Sequence, residues 1–188
     1  MKTQMSRFQV HDELTAPEAS VPVLTGALKA SGGQLPNFLA VLAGSPAALR
    51  SYARARSELR QGALSTATSE RIALAVAEHY RSAPDLSLHR RTARRAGLGG
   101  DEVTLALQWR SGDEREAALL RYLRSIVEQR GHVPLHLHEE AREAGWTDGQ
   151  LLEAIARVAN ESFTAMVNVA GEVPVDGSAE QDRILNAA

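Results

Sequence analysis

The sequence contains no cysteine among its 188 residues. That absence excludes disulfides, thiolate metal sites and every catalytic cycle that turns on a sulfur nucleophile. Aromatic residues are scarce at 4%, so the core must be assembled mainly from Ala, Leu, Val and Ile, which suits close-packed helices. No apolar run approaches the roughly 20 residues that a membrane span needs. The N-terminal stretch has no apolar signal core either, so a cytoplasmic protein without a membrane partner is expected. An excess of one charge is also missing. The net charge of −2 argues against bulk attraction to nucleic acid. A chain of this length fits one domain over residues 1–188, with a polar arm at 1–20 and a polar, loose tail at 172–188.

Alternating strand patterns and hairpin turns are absent as well, and what remains is helical periodicity. A short helix is expected from Val21 to Ala30, stopped by Gly32 and Gly33. Ser45 caps the next, with Pro46 at the first helical position, and the helix runs to about Arg60. Ser65 to Ser69 offers N-caps for a largely buried helix, and a second helix spans about Ala83 to Ala96 with Gly97 as its terminator. Further helices are expected at Asp101 to Trp109, Glu114 to Gln129 and Leu151 to Val169. The last presents Leu152, Ile155, Val158, Ala159, Phe163 and Met166 as its apolar side. A weak internal repeat links Ala93-x-x-Ala96-Gly97-Leu98 to Ala141-x-x-Ala144-Gly145-Trp146, at an offset of 48. The expected fold class is all-α.

Chemistry concentrates between Ser69 and Leu98. Glu70 sits near the head of the buried helix. On the following helix Ser82, Asp85 and His89 share one face, being three and four residues apart. Asp85 and His89 are at hydrogen-bonding separation, which would orient the imidazole and raise its basicity, while Glu70 arrives from the neighbouring helix. Equally, Ser82-Ala83-Pro84-Asp85 reads as an N-cap with an acidic residue in the first turn, a structural role contributing about 1 kcal/mol. A Ser-Asp-His nucleophilic triad is disfavoured, since seven residues of helix rise separate serine from histidine by about 10 Å.

This stretch resembles the core motif of the carboxymuconolactone decarboxylase and alkylhydroperoxidase D-like superfamily. Glu70, Glu78-His79, His89 and Ala96-Gly97-Leu98 match that motif in order and spacing, and Ser82 and Asp85 stand where it carries its two cysteines. Leu35-Pro36-Asn37 followed by Ser45-Pro46 and Leu49 is similar to the peroxidase-related branch. The resemblance implies an alkylhydroperoxidase D-like helical bundle, a homo-oligomer (trimer or hexamer), and a proton relay on Glu70 and His89, with Glu78 beside them. It also implies that peroxide reduction has lost its thiols. Three functions therefore stand open. One is a non-thiol acid–base site of Glu70 and His89, oriented by Asp85, acting on a small organic acid or lactone without a cofactor. The second is a catalytically lapsed oligomeric binding or scaffold protein, and the third is a peroxidase-related activity by a non-thiol route.

Two further clusters carry weaker signals. His132, His136 and His138, beside Glu139 and Glu140, resemble metal ligands, but Pro134 and the loop-like setting favour solvated side chains, and no metal is expected. Arg90, Arg91, Arg94 and Arg95 form one exposed flank that acidic neighbours explain as well as nucleic acid does.

Overall fold

The computed structural model describes residues 6–177. Among them are nine α-helices and no strand: α1 (Val21–Ala30), α2 (Asn37–Leu42), α3 (Pro46–Leu59), α4 (Thr66–His79), α5 (Ala83–Arg95), α6 (Gly100–Ala106), α7 (Glu114–Glu128), α8 (Leu135–Glu143) and α9 (Asp148–Ala170). A single 3-10 turn, Glu18–Ser20, precedes α1.

Most helix ends follow from local chemistry. Ser45 Oγ accepts the Ala48 amide at 3.3 Å and Ser65 Oγ accepts that of Thr68 at 3.0 Å, so each satisfies an amide that the first turn leaves unpaired. Both copies of the repeat end in the same way. Gly97 and Gly145 adopt φ of +89° and +90°, a left-handed conformation that suits glycine. The amides of Leu98 and Trp146 then reach back to the carbonyls of Ala93 (3.0 Å) and Ala141 (3.1 Å), and both side chains turn into the core.

Helix α4 is the axis. From Ile72 to Ala77 every residue is buried, and the helix packs against α5, α6 and α9. One apolar cluster joins α4 to α7, α8 and α9 through Ile72, Val76, Leu119, Leu123, Ala141 and Leu151, with Trp146 of the α8–α9 turn among them. A second forms around Leu24, Leu49 and Tyr52 of the α1–α3 layer, with Phe163 and Val167 of α9 against it. Between the two lies a buried face of α9 that is polar.

That polar face corrects the expectation for the last helix. Leu152 and Met166, expected inside, are 68% and 48% exposed, and Ala159 is exposed too. The buried side is Leu151, Ala154, Val158 and Ala165 together with Arg157, Asn160, Glu161, Thr164 and Asn168. The helix also starts earlier than expected, because Thr147 and Gln150 form a reciprocal capping box.

The tail also differs from expectation over its described part. Val173 is buried, the Asn37 amide donates to Asp176 Oδ1 at 2.8 Å, and Asn37 Nδ2 donates to the Pro174 carbonyl at 3.1 Å. Residues 172–177 are thus a strap laid over the start of α2, and Asp176 serves the Asn37 amide, which Pro36, the residue at the N-cap, cannot cap with a side chain. The rest of the tail, 178–188, and the first five residues of the arm lie outside the described residues. The arm from Ser6 lies on its own chain, with its Arg7 amide on the Gly171 carbonyl at 2.7 Å.

Candidate functional site

Helices α4, α5 and α9 meet at His89, which is 7% exposed. Its Nδ1 donates to Glu70 Oε2 of α4 at 2.9 Å, and its Nε2 faces Glu161 Oε2 of α9 at 3.4 Å. Glu70 is held in turn by the Thr92 hydroxyl at 2.6 Å, and Glu161 lies 3.5 Å from the Arg157 guanidinium. Burial alone would pull the imidazole's pKa down, but the hydrogen bonds and negative charges of Glu161 and Glu70 outweigh it and push the pKa to about 10. His89 is therefore an imidazolium across the neutral range. Burial would raise Glu161, yet His89, Arg157 and Arg56 together hold it below the ordinary carboxylate value.

Asp85 behaves in the opposite way. It is 6% exposed, and burial raises its pKa. The hydrogen bonds from Ser82 and Asn168 and the charge of His89 recover only part of that rise. The Ser82 hydroxyl donates to Asp85 Oδ2, and Asn168 Nδ2 lies 3.0 Å from both carboxylate oxygens. Both of these partners are neutral.

The expected stripe is present, but its wiring is different. Ser82, Asp85 and His89 do share the buried side of α5. The Asp85–His89 hydrogen bond does not form, because Nδ1 is taken by Glu70 and Asp85 is taken by Ser82 and Asn168. Ser82 occupies the N-cap position of α5, yet its hydroxyl caps no amide. The expected N-cap therefore becomes a Ser–Asp pair. Ser82→Ala should cost about 1 kcal/mol in urea denaturation, the value of one intramolecular hydrogen bond, with no change in the α5 helix start seen by amide hydrogen exchange. Glu78 is not brought to the site and stands exposed in the last turn of α4.

A cavity of about 750 Å³ opens on this cluster. Asp85, His89, Glu161, Thr164 and Asn168 form its floor, and Glu70 lies behind His89 rather than on the wall. Val23, Ala27, Phe38, Leu39 and Leu88 make the sides apolar, the strap residues Pro174 and Asp176 close one edge, and Tyr52, Arg56 and Arg60 of the α3 end line the mouth. Among the described residues no group of three or more His, Asp or Glu could hold a metal ion, which includes the His132, His136 and His138 stretch. No helix among them is long and apolar enough to cross a membrane.

The sequence did not single out Glu161, Asn168, Tyr52 or Arg56. The available signal was the spacing of Arg157, Glu161, Thr164 and Asn168, which repeats at helical intervals on one side of α9.

Neither a family model nor a curated protein matches the chain. Solved structures do. A peroxidase-related protein from Ralstonia eutropha, described as an alkylhydroperoxidase AhpD core, superimposes with a TM-score of 0.81 over 92% of this chain and 93% of its own, at 18% identity. The fold is AhpD-like. A peroxidase-related protein from Silicibacter sp. follows with a TM-score of 0.76, 15% identity and 94% of both chains covered. The debrominase Bmp8 has the same architecture, with a TM-score of 0.71, 19% identity and coverage of 99% and 98%. An AhpD-like scaffold with Ser82 and Asp85 in the α4–α5 region and no cysteine anywhere in the chain is the frame for this site.

Proposed function

We propose that the cavity is an acid–base site for a small organic acid, lactone or related carbonyl compound, with Asp85 as the group that moves the proton and His89 as the fixed cation. The observation that carries this is the division of labour at the floor. His89 is clamped through Nδ1 and holds its Nε2–H only loosely, at 3.4 Å from Glu161, whereas Asp85 has a raised pKa and two neutral partners. In the reaction that fits, ionised Asp85 takes a proton from the carbon next to a carbonyl and becomes a carboxylic acid. The electron pair moves onto the carbonyl oxygen, and that enolate oxygen accepts a hydrogen bond from His89 Nε2. Return of the proton to carbon completes the exchange. Glu70 serves by holding His89 charged and in place.

The test is proton NMR in D2O on small keto acids and lactones incubated with the protein. Loss of the signal of the hydrogen beside the carbonyl is expected, and Asp85→Asn should abolish it. Binding without exchange would instead favour the lapsed binding protein, a reading supported by the sealed Nδ1 side of His89 and by the outward apolar residues Leu152, Met166 and Val169 as a surface for a second copy. A thiol-dependent peroxidase cycle has no cysteine thiol to run on.

A further inference from the structure

The cavity is polarised from floor to mouth. Its charged lining residues are Arg56, Arg60 and Asp176 at the mouth and Asp85, His89 and Glu161 at the floor. At the floor the positive charge of His89 is already balanced by Glu70 and Glu161, and the Arg157 behind them pairs with Glu161, so the loosely held Nε2–H serves an uncharged oxygen better than a second carboxylate. A second anion placed there would meet Glu161 and the carboxyl of Asp85 with no free positive charge to offset them.

The mouth is different. Arg56 and Arg60 are one helical turn apart and both exposed; Arg56 acts on Glu161 only through its charge at a distance, and the ion pairs among the described residues include neither arginine. Asp176, the acidic residue on that edge, has an oxygen on the Asn37 amide at 2.8 Å. Arg56 Nη1 donates to the Tyr52 hydroxyl oxygen at 2.7 Å, so that oxygen is an acceptor and the Tyr52 O–H proton remains to be donated. Tyr52 is fixed by edge-on packing with Phe38, ring centres 4.9 Å apart, and burial keeps its phenol protonated. A guanidinium and an adjacent O–H are a donor set for a carboxylate.

We infer that the site takes a monocarboxylate with an apolar body, its carboxylate at Arg56, Arg60 and the Tyr52 hydroxyl, and an uncharged carbonyl or hydroxyl oxygen directed to His89 and Asp85. Dicarboxylates and neutral esters are excluded at opposite ends, the first by the floor and the second by the mouth. The volume of about 750 Å³ accommodates a ring-sized body between the two ends. This inference rests on the proposed function for the placing of the carbonyl, and its test does not need turnover.

The experiment is a calorimetric or NMR titration of the intact protein with 4-oxocyclohexanecarboxylate, its methyl ester, and trans-cyclohexane-1,4-dicarboxylate. The keto acid should bind at least ~10-fold more tightly than either of the others, the difference that a 1.4 kcal/mol change produces. Its affinity should fall with added salt while that of the ester does not. Arg56→Gln with Arg60→Gln should erase the preference of acid over ester. Tyr52→Phe, which keeps the ring packing, should weaken the acid several-fold and leave the ester unchanged. Equal binding of acid and ester, tighter binding of the diacid, no binding of the keto acid, or indifference to both sets of variants each overturns the inference. If the acid binds as described but its hydrogens do not exchange, the acid–base reading fails and this one stands. If exchange occurs with no discrimination between acid and ester, the reverse holds.

Discussion

His89→Ala will lower the free energy of unfolding by about 3–5 kcal/mol, the range seen when one partner is removed from a buried ion pair. The loss comes from what remains. Glu70 and Glu161 face each other across the vacated ring, with side chains only 15% and 7% exposed, and the cation between them is gone. For a chain of this size each kcal/mol lowers the melting temperature by about 2–4 °C, so the variant should melt roughly 6–20 °C below the parent. Glu161→Gln in the same background should recover part of the loss, because it removes the repulsion that the first change exposes. A double-mutant cycle by urea denaturation checks the non-additivity. Purely additive effects would mean that the three groups are not one network. The same network sets the alkaline limit. Since the imidazole titrates at about 10 in the fold against 6.5 in the open chain, its contribution is complete below about pH 6.5 and is lost as pH rises through about 10. Stability of the parent should decline over that window, and His89→Ala should lack the decline.

Asp85→Asn is expected to reduce carbon–hydrogen exchange by about 10²–10⁴-fold, the usual contribution of a positioned general base. The fold should be unharmed, because an amide can keep bonds to Ser82 and to Asn168, whose amide can rotate to present oxygen or nitrogen. Asn168 Oδ1 is buried and without a partner in the parent, so the rotated form has an acceptor ready. The stability comparison has a definite sign. Asp85 has a folded pKa above 3.8, so ionisation is disfavoured in the fold. Below about 3.8 the parent bears no penalty, and as pH rises through the folded value it loses stability relative to Asp85→Asn. Urea denaturation of both proteins at pH 4 and pH 8 should show the variant gaining on the parent at the higher pH. A parent that gains instead would mean Asp85 is a paired carboxylate, leaving no group of raised pKa to serve as the base.

Much of the frame was legible because helix ends are local. Ser45, Ser65, Gly97 and Gly145 act within one turn of themselves, and sequence spacing reports such interactions directly. The grouping of Ser82, Asp85 and His89 was legible for the same reason. Their partners were not, because Glu70 lies 19 residues and Asn168 83 residues from the α5 side chain each one binds. Helix α9 misled for a physical reason. Polar residues usually mark the solvent side of a helix, but here Arg157, Glu161 and Asn168 turn inward and satisfy one another and α5, while Leu152 and Met166 face out. Ranking α9's faces by hydrophobicity alone therefore places Val158, Ile155 and Phe163 correctly and Leu152, Ala159 and Met166 on the wrong side.

The strap gives the cavity a clock. Asp176 and Pro174 border the cavity and also accept the backbone and side-chain N–H groups of Asn37, so parting that edge of the wall exposes the Asn37 amide. Amide hydrogen exchange at this one position therefore reports the free energy of parting the wall, and its limiting rate at high pH, where exchange outruns reclosing, reports how often the wall parts. A bound molecule that leaves by that edge can depart no faster than the wall parts, which makes the residence time of a ligand a property of the chain's last described turn as much as of the groups that hold it.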